Sequence, residues 1–320
     1  MKKLTIRLAA GLLLLSLIPV TARAQTLIAV GEVVGLELRN GTVTVAALDE
    51  DGSAAGDAGI LPGDVILSID GRDVSSGEDV KNALSRSNGT VSVRFCRKGR
   101  EQALTLQPEI TADGPKLGLF LRQGVTGIGT VTYYDPETGT FATLGHGVNS
   151  SRGSLLEMTD GKVYPARVVS VKKGRSGTPG QLMGTVDSPV SNGELTANTA
   201  RGVFGKSSIG WQGRTLETGD AAAVRTGSAT ILSTVSDGGV REYSVEILKL
   251  YPRAQASGRN MLIKITDPAL LETTGGIVQG MSGSPIIQDG KLVGAVTHVL
   301  VNDPTTGYGI FIENMLNAAA

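Results

Sequence analysis

The 320-residue sequence is poor in the residues on which several protein classes depend. It contains one cysteine, two histidines and only 4% aromatic residues. A single cysteine cannot form a disulfide within the chain, and so few Cys and His residues offer no ligand spacing for zinc. The 30 Lys and Arg residues balance 30 Asp and Glu residues, so the chain also lacks the basic face that nucleic acids require. We therefore expect no metal, no cofactor and no nucleic-acid partner.

Glycine is what the sequence has in abundance. It contains 44 Gly against 12 Pro, and 40% of its residues are hydrophobic. Many glycines with few aromatic residues indicate short strands joined by tight turns, and hence a β-rich chain. The one cysteine, Cys96, follows the alternating run Val91–Phe95, so we expect it in or beside a strand and not in a reactive site.

The N-terminus has the pattern of a secretory signal. Lys2, Lys3 and Arg7 precede the apolar stretch Leu8–Val20, and Ala22-Arg23-Ala24 is a small-residue cleavage site. Residues 1–24 are therefore predicted to be a signal peptide that directs export. The alternative is an uncleaved short anchor, although the stretch is shorter than most membrane-spanning helices.

The first block after the signal, residues 25–110, resembles a PDZ domain. It contains the predicted strands Val43–Ala47, Val65–Ile69 and Val91–Phe95 and a short predicted helix, Ser76–Leu84. The run Ala58–Gly71 is similar to the core motif of PDZ domains in bacterial proteases, with its Ala-Gly, Gly-Asp and Asp-Gly pairs in place. This resemblance implies that the block binds C-terminal peptide tails.

The loop that would receive the peptide carboxylate is assigned by a weaker similarity. It is the segment Val34-Gly35-Leu36-Glu37-Leu38, in which a glycine-turned backbone would expose N–H donors. The alternative is that this segment is simply the entry to a hairpin.

The second block, residues 111–320, begins with a linker at Asp113-Gly114-Pro115 and has the pattern of a second β domain. Short strand patterns are separated by turn pairs such as Asp160-Gly161 and Asp289-Gly290, without long helical periods. Such spacing is typical of a sandwich or a barrel.

Gly280-Met281-Ser282-Gly283-Ser284-Pro285, followed by a strand, a tight turn and a second strand, resembles the nucleophile segment of chymotrypsin-like serine peptidases. In that arrangement the serine projects from a turn, and its own N–H and that of Gly280 form the oxyanion hole. Ser284 is the alternative nucleophile, in an α/β-hydrolase elbow. That fold places the acid and the histidine after the serine, and the chain after Ser282 is too short for it.

His146, in Leu144-Gly145-His146-Gly147, is the candidate general base, because it precedes the serine as the chymotrypsin-like order requires. The other histidine, His298, falls at the end of the strand that would line the substrate. The residues alone do not choose the acid that orients the base; the candidates are Asp160, Asp187, Asp220, Asp237 and Asp267.

Several segments together resemble the stage IV sporulation protein B peptidase family. They are Ala142–Gly147, Met261–Pro268, Gly275–Ile287, Ala295–Val299 and Val301–Gly309. The resemblance implies His146, Asp267 and Ser282 as the catalytic set, while Asp187 keeps a claim through its spacing from His146. It also implies a mainly β chain in which a PDZ domain precedes a chymotrypsin-like double β-barrel.

The family further implies a role in sporulation signalling. Its members are exported into the space between forespore and mother cell. There they cleave a membrane-bound regulator of an intramembrane protease, and their PDZ domain governs self-cleavage. We keep two rival hypotheses: a non-enzymatic PDZ adaptor with a degenerate peptidase fold, and an exported quality-control protease, although in the latter the PDZ domain usually follows the peptidase.

Overall fold

The computed structural model describes residues 25–150, 153–253 and 258–319. The predicted signal, residues 1–24, lies outside the described residues. No helix in the described ranges is long and apolar enough to cross a membrane. The strands are β1 Thr26–Ala29, β2 Val33–Leu48, β3 Val65–Ile69, β4 Arg72–Asp73, β5 Val91–Arg97, β6 Arg100–Leu106, β7 Glu109–Thr111, β8 Gly114–Lys116, β9 Leu119–Asp135, β10 Thr140–Thr143, β11 Asp160–Lys172, β12 Gln181–Val186, β13 Gly193–Thr199, β14 Gly202–Ser207, β15 Arg214–Glu217, β16 Gly227–Ser233, β17 Arg241–Leu250, β18 Met261–Ile265, β19 Pro285–Gln288, β20 Lys291–Leu300 and β21 Asp303–Phe311. The helices are α1 Ala54–Asp57, α2 Gly77–Ser85, α3 Pro268–Thr274 and α4 Ile312–Ala319.

Two antiparallel barrels form the larger part of the molecule. In the first, β2 pairs with β9, and the ring continues through β10, β14, β13 and β11 back to β2. The second is the closed barrel β16-β17-β18-β21-β20-β19. Each barrel pairs its own strands fully, which leaves no open edge within the ring. The predicted double β-barrel is confirmed.

Strands β3 to β6, together with α1, α2 and the second half of β2, build the PDZ domain around a separate core. Val43, Ile66, Val93 and Phe95 are buried there together with Val80 and Leu84 of α2. The Oγ of Ser76 caps α2 by accepting a hydrogen bond from the backbone N–H of Asp79. The helix therefore begins where the sequence predicted it, and Cys96 lies half-buried in β5 as expected.

Two long strands, β2 and β9, are shared between the PDZ domain and the first barrel. They have 16 and 17 residues, and their register runs from Val33↔Thr130 in the barrel to Leu48↔Leu119 beside the PDZ core. The first half of β2 thus belongs to the barrel, and β1 pairs with the barrel strand β9 and with β15. This pairing differs from the predicted division at residue 110, because a strand can serve two cores along its length and composition does not show where it changes over.

The predicted carboxylate-binding loop, Val34–Leu38, requires a correction. It is the first half of β2, paired with β11 on one edge and with β9 on the other. Both edges are occupied, so the segment cannot accept a peptide as an added strand. The reason lies in its alternation, because Val34, Leu36 and Leu38 face the first barrel's core as a strand requires.

Candidate active site

Ser282 lies in the tight turn that leads into β19 of the second barrel. The next residue, Gly283, has φ +99°, and a Cβ there would stand 2.0 Å from the carbonyl oxygen of Thr130. Only glycine permits so close an approach at this backbone conformation. Gly283 thus allows close packing behind Ser282, and the neighbour is strand β9 of the other barrel.

The alternative nucleophile, Ser284, is unsuited to the role. Its side chain is fully buried, and its Oγ donates to the Oγ of Ser233 at 3.0 Å. A hydroxyl closed off in this way has no access to a substrate, so the hydroxyl of Ser284 is a structural group.

His146 follows β10 of the first barrel and is turned out of that strand by a strained residue. Leu144 has φ +70°, which is unusual for a bulky side chain. Its Cδ2 packs so closely on Gly129 that a Cβ at Gly129 would meet it at 2.4 Å. Packing therefore holds Leu144 in this conformation, and the imidazole is presented at the end of the strand as the Gly-His-Gly motif predicted.

A backbone carbonyl fixes the tautomer of His146. The Nδ1 of the ring lies 2.9 Å from the carbonyl oxygen of Gly147, which can only accept a hydrogen bond. Nδ1 therefore carries the proton, and Nε2 is left as the acceptor that a general base needs. Burial lowers the pKa of His146 below its ordinary value of 6.5, so the ring is neutral near pH 7.

Asn198 on β13 holds the segment that follows the histidine. Its Oδ1 accepts from the N–H of Val148, and its Nδ2 donates to the carbonyl oxygens of Val148 and Leu156. Sequence reasoning missed this residue, because no local motif distinguishes an asparagine that satisfies a distant loop.

His146 and Ser282 line the same cavity, of about 540 Å³, between the two barrels. Gly280 lines it as well. Within the described part of the chain, the N–H groups of Gly280 and Ser282 donate to no protein acceptor. These are the two donors that the sequence predicted for an oxyanion hole, and both are available to donate to an oxyanion.

The hydroxyl of Ser282 is held by another residue of the cavity. Its Oγ donates to the carbonyl oxygen of Thr297 on β20 at 2.7 Å. The nucleophile's proton therefore points to a backbone carbonyl and not to His146, which describes a resting arrangement that must change before proton transfer.

The second histidine, His298, packs against the first. The two ring centroids are 4.9 Å apart with an angle of 40° between the planes. Burial, the positive charge of His146 and that of Arg259 lower the pKa of His298 to about 4. It is thus a neutral ring at pH 7 that packs against the face of His146. It does not supply the negative charge of an orienting acid.

The structure does not bring either candidate acid to His146. The Oδ1 of Asp267 caps α3 by accepting from the N–H groups of Ala269 and Leu270, both at 3.0 Å. Asp187 pairs with Arg167 at 2.9 Å. Gly258, which precedes β18, lies near the segment of His146 instead, since a Cβ at Gly258 would stand 3.5 Å from the carbonyl oxygen of Gly145. The role of either aspartate as the orienting acid gains no support from this arrangement, in which the carbonyl of Gly147 is the acceptor beside Nδ1 of His146.

We expect Asp267→Asn to keep most of the peptidase activity. Asparagine caps helices as well as aspartate does, and the hydrogen bond from His146 to Gly147 is untouched. Turnover should stay within about threefold of the unmodified enzyme, whereas a triad aspartate replaced by asparagine costs about 10⁴-fold. Steady-state kinetics decides between these values, and a loss near the larger one would restore Asp267 to the catalytic set.

Thr130 on β9 ties the nucleophile turn to the first barrel. Its Oγ1 donates to the carbonyl oxygen of Gly280 at 2.7 Å, and its N–H donates to that of Ser282 at 3.0 Å. The side chain is fully buried. Thr130 therefore fixes both residues whose N–H groups form the predicted oxyanion hole. Sequence reasoning missed it, since the contact joins positions 150 residues apart.

Thr130→Val is expected to lower kcat by about tenfold with little change in KM, because misplaced oxyanion donors weaken only transition-state binding. Thr132→Val is a matched control. Thr132 is equally buried on the same strand, and its Oγ1 has no partner in the described ranges. Equal losses in the two variants would contradict the positioning role of Thr130.

A second groove, of about 410 Å³, lies in the PDZ domain between α2 and the start of β9. Val80, Lys81 and Leu84 form one wall, and residues 117–121 form the other. Residues 119–123 of β9 pair with β2 along one edge only, within the described residues. The free edge facing a helix is the arrangement that accepts a peptide as an added strand.

Models of two known protein families match parts of this chain. The family described as SpoIVB peptidase S55 matches residues 114–316, well over half of the chain. The chain belongs to this family. A PDZ domain family matches residues 49–97, which contain α1, α2 and the strands β3, β4 and β5. The chain therefore combines a region of the S55 peptidase family with a PDZ domain.

Other similar proteins cover less of the chain or resemble it less. It is 36% identical over 104 residues to a Rhizobium meliloti protein named as a zinc metalloprotease, and 36% identical over 98 residues to one from Agrobacterium fabrum. These matches span 32% and 30% of this chain, but only 27% and 25% of those proteins.

Among solved structures, the PDZ domain of an SdrC-like protein from Listeria monocytogenes is 23% identical. It has a TM-score of 0.22 and covers 25% of this chain and 85% of that one. The inactive form of the Rv3671c protease of M. tuberculosis is 14% identical, with a TM-score of 0.33, and covers 60% of this chain and 82% of that one.

Proposed function

We propose that the protein is an exported serine endopeptidase in which Ser282 is the nucleophile and His146 the general base. The observation that carries this proposal is the single cavity that holds the serine, the histidine and two free N–H donors. These are the parts that acyl transfer requires: a nucleophile, a base with a free acceptor nitrogen, and donors for the oxyanion.

The proposed reaction follows the usual course of serine peptidases. The Oγ of Ser282 attacks the peptide carbonyl carbon while its proton passes to Nε2 of His146. The oxyanion is held by the N–H groups of Gly280 and Ser282. The protonated His146 then donates that proton to the leaving amine, and water hydrolyses the acyl-enzyme by the same steps in reverse.

Substrate binding would start this sequence by freeing the nucleophile. The hydroxyl of Ser282 now donates to the carbonyl of Thr297, which stands on the strand beside the cavity. A backbone N–H of the substrate that donates to this carbonyl would displace the hydroxyl of Ser282 from it. The hydroxyl is then free to turn toward His146, which couples activation of the serine to occupancy of the strand.

The experiment is to incubate the purified chain, and its Ser282→Ala variant, with an unfolded model protein and map new termini by mass spectrometry. Cleavage by the first and not by the second supports the proposal. New termini within the chain itself would identify self-cleavage. No cleavage of either kind by the intact enzyme would favour the PDZ adaptor.

The proposed setting rests on family membership and on the N-terminal sequence pattern. We propose export of the chain to the space between forespore and mother cell, where it cleaves a membrane-bound regulator of an intramembrane protease. Cleavage after Ala24 would leave Gln25 at the terminus. Its backbone N donates to the Oγ1 of Thr218 at 3.1 Å, and its side chain donates to Asp135, so this terminus would stay attached to the fold.

We propose that the PDZ groove, and not Val34–Leu38, binds peptide tails. Phe120 lines this groove with 57% of its surface exposed, so Phe120→Ala should weaken tail binding by about tenfold without disturbing the fold. Ile110→Ala is the matched control, because Ile110 is 76% exposed and lies outside the groove. Titration of a fluorescent tail peptide measures both, and equal affinities in the two variants would rule out the groove.

A further inference from the structure

The cavity around Ser282 is lined almost entirely by uncharged groups. The first barrel contributes Leu36, Leu38 and Ile128, and the second contributes Ile277, Val299 and Val301. Among the residues that the structure describes, no Asp, Glu, Lys or Arg lines it, and its two histidines have pKa values lowered by burial. A charged substrate side chain that enters this cavity would lose its hydration without gaining a partner. An apolar side chain would instead gain from burial.

A smaller polar cavity, of about 270 Å³, adjoins the first. The two share Val125 and Asn149 as lining residues, so they lie side by side, and we call the two together the depression. The polar part is lined by Asn40, Thr44 and Arg122, with Thr44 and Arg122 directly opposite each other on β2 and β9.

Arg122 is the charged residue of this polar part. Its side chain is exposed, and it forms no ion pair or hydrogen bond with any described residue. No carboxylate of the described residues lines either part of the depression. A peptide lying across both parts would therefore meet an apolar site next to the nucleophile and an unpaired guanidinium farther along the first barrel.

We infer that the enzyme selects peptides with apolar residues at the scissile bond and an acidic residue placed to pair with Arg122. This inference rests on the proposed function, since it assigns the substrate class of the same site. An exposed guanidinium binds a carboxylate in a fork geometry that suits Asp or Glu. The apolar part supplies most of the affinity, and Arg122 sets the register of the peptide.

The test measures binding of short fluorescent peptides to the Ser282→Ala chain, so that it does not depend on turnover. In the first series, the residues at the scissile bond are apolar or are replaced by Lys. The apolar peptides should bind about 100-fold more tightly. Val301→Glu, at a half-exposed lining position, should recover part of the Lys peptide's affinity, whereas Val190→Glu, outside the cavity, should not.

In the second series, one Asp or one Lys is moved along an apolar peptide. At one position Asp should bind about fivefold more tightly than Lys, and Arg122→Glu should reverse that order. Arg100→Glu makes the same charge change on the exposed face of β6 and should leave the order unchanged. Equal affinities of all peptides, or an order that Arg122→Glu leaves unaltered, would overturn the inference.

Failure of the proposed function would give a different result from failure of the inference about substrates. If Ser282 of the unmodified chain does not react with a fluorophosphonate while the apolar and acidic preferences hold, the depression is a binding site without catalysis. If Ser282 reacts but the preferences are absent, the peptidase assignment stands and the inference about its substrates is wrong.

Discussion

Replacing Ser282 by alanine is expected to lower peptide hydrolysis by about 10⁴- to 10⁶-fold, which is the effect of losing the nucleophile in serine peptidases. The hydroxyl of Ser282 is bonded only to the carbonyl of Thr297, on the surface of the cavity. Its removal therefore leaves the fold intact, and the thermal midpoint should stay close to that of the unmodified enzyme.

Ser284→Ala is the matched control for this loss. Ser284 stands two positions away in the same turn, but its hydroxyl is buried against Ser233. The variant should keep its turnover and lose about 1 kcal/mol of unfolding free energy, the value of one buried hydrogen bond. A large loss of turnover in Ser284→Ala with activity retained in Ser282→Ala would reverse the assignment of the nucleophile.

Replacing His146 by alanine is expected to produce a loss of comparable size, about 10⁴- to 10⁶-fold in kcat, because serine and histidine act as a unit. His298→Ala removes the ring that supports His146 and should cost only about tenfold. His298 is already neutral at pH 7, since its pKa is lowered to about 4. Equal losses in the two variants would contradict the assignment of His146 as the base. They would show that His298 is the base or that both histidines take part in proton transfer.

The pH dependence of the unmodified enzyme tests the same residue. Burial favours the neutral form of His146, so its folded-state pKa lies below 6.5. The ring therefore stays unprotonated, and able to act as a base, down to a lower pH than an exposed imidazole. The acid limb of kcat/KM should therefore have its midpoint below pH 6.5. A midpoint above pH 7 would indicate a carboxylate beside His146, because a negative charge raises a histidine pKa.

The sequence predicted His146 and Ser282 because both stand in short motifs whose glycines have local causes. The turn that projects Ser282 needs glycine at 283, and the turn that presents His146 is flanked by Gly145 and Gly147. These requirements for glycine arise within a few residues of Ser282 and His146, so the sequence shows them without knowledge of the fold. Many short strands indicated a sandwich or a barrel, and the resemblance to the peptidase family implied the double barrel.

Contacts between distant segments were beyond the sequence. The bonds from Thr130 to Gly280 and from Asn198 to Val148 depend on strand register, which no local pattern shows. The misplaced carboxylate loop has a related cause. Val34–Leu38 combines a glycine with apolar alternation, and a PDZ loop and a barrel strand can both have that composition. Only the partners on its two edges tell them apart.

The acid was the least local of the predictions. Asp267 lies 15 residues before the nucleophile, and similarity to the family drew attention to it there. In the structure its carboxylate stands at the beginning of α3, where the first-turn N–H groups need an acceptor. A helix cap explains an aspartate at this position without catalysis, while the tautomer of His146 is set by the carbonyl of Gly147.

The most direct test of the central claim is to label the purified chain with a fluorophosphonate and locate the adduct by mass spectrometry. We predict an adduct on Ser282, its loss in His146→Ala, and its retention in Asp267→Asn. An adduct on Ser284, or labelling of Ser282 that persists without His146, would contradict a histidine-activated Ser282.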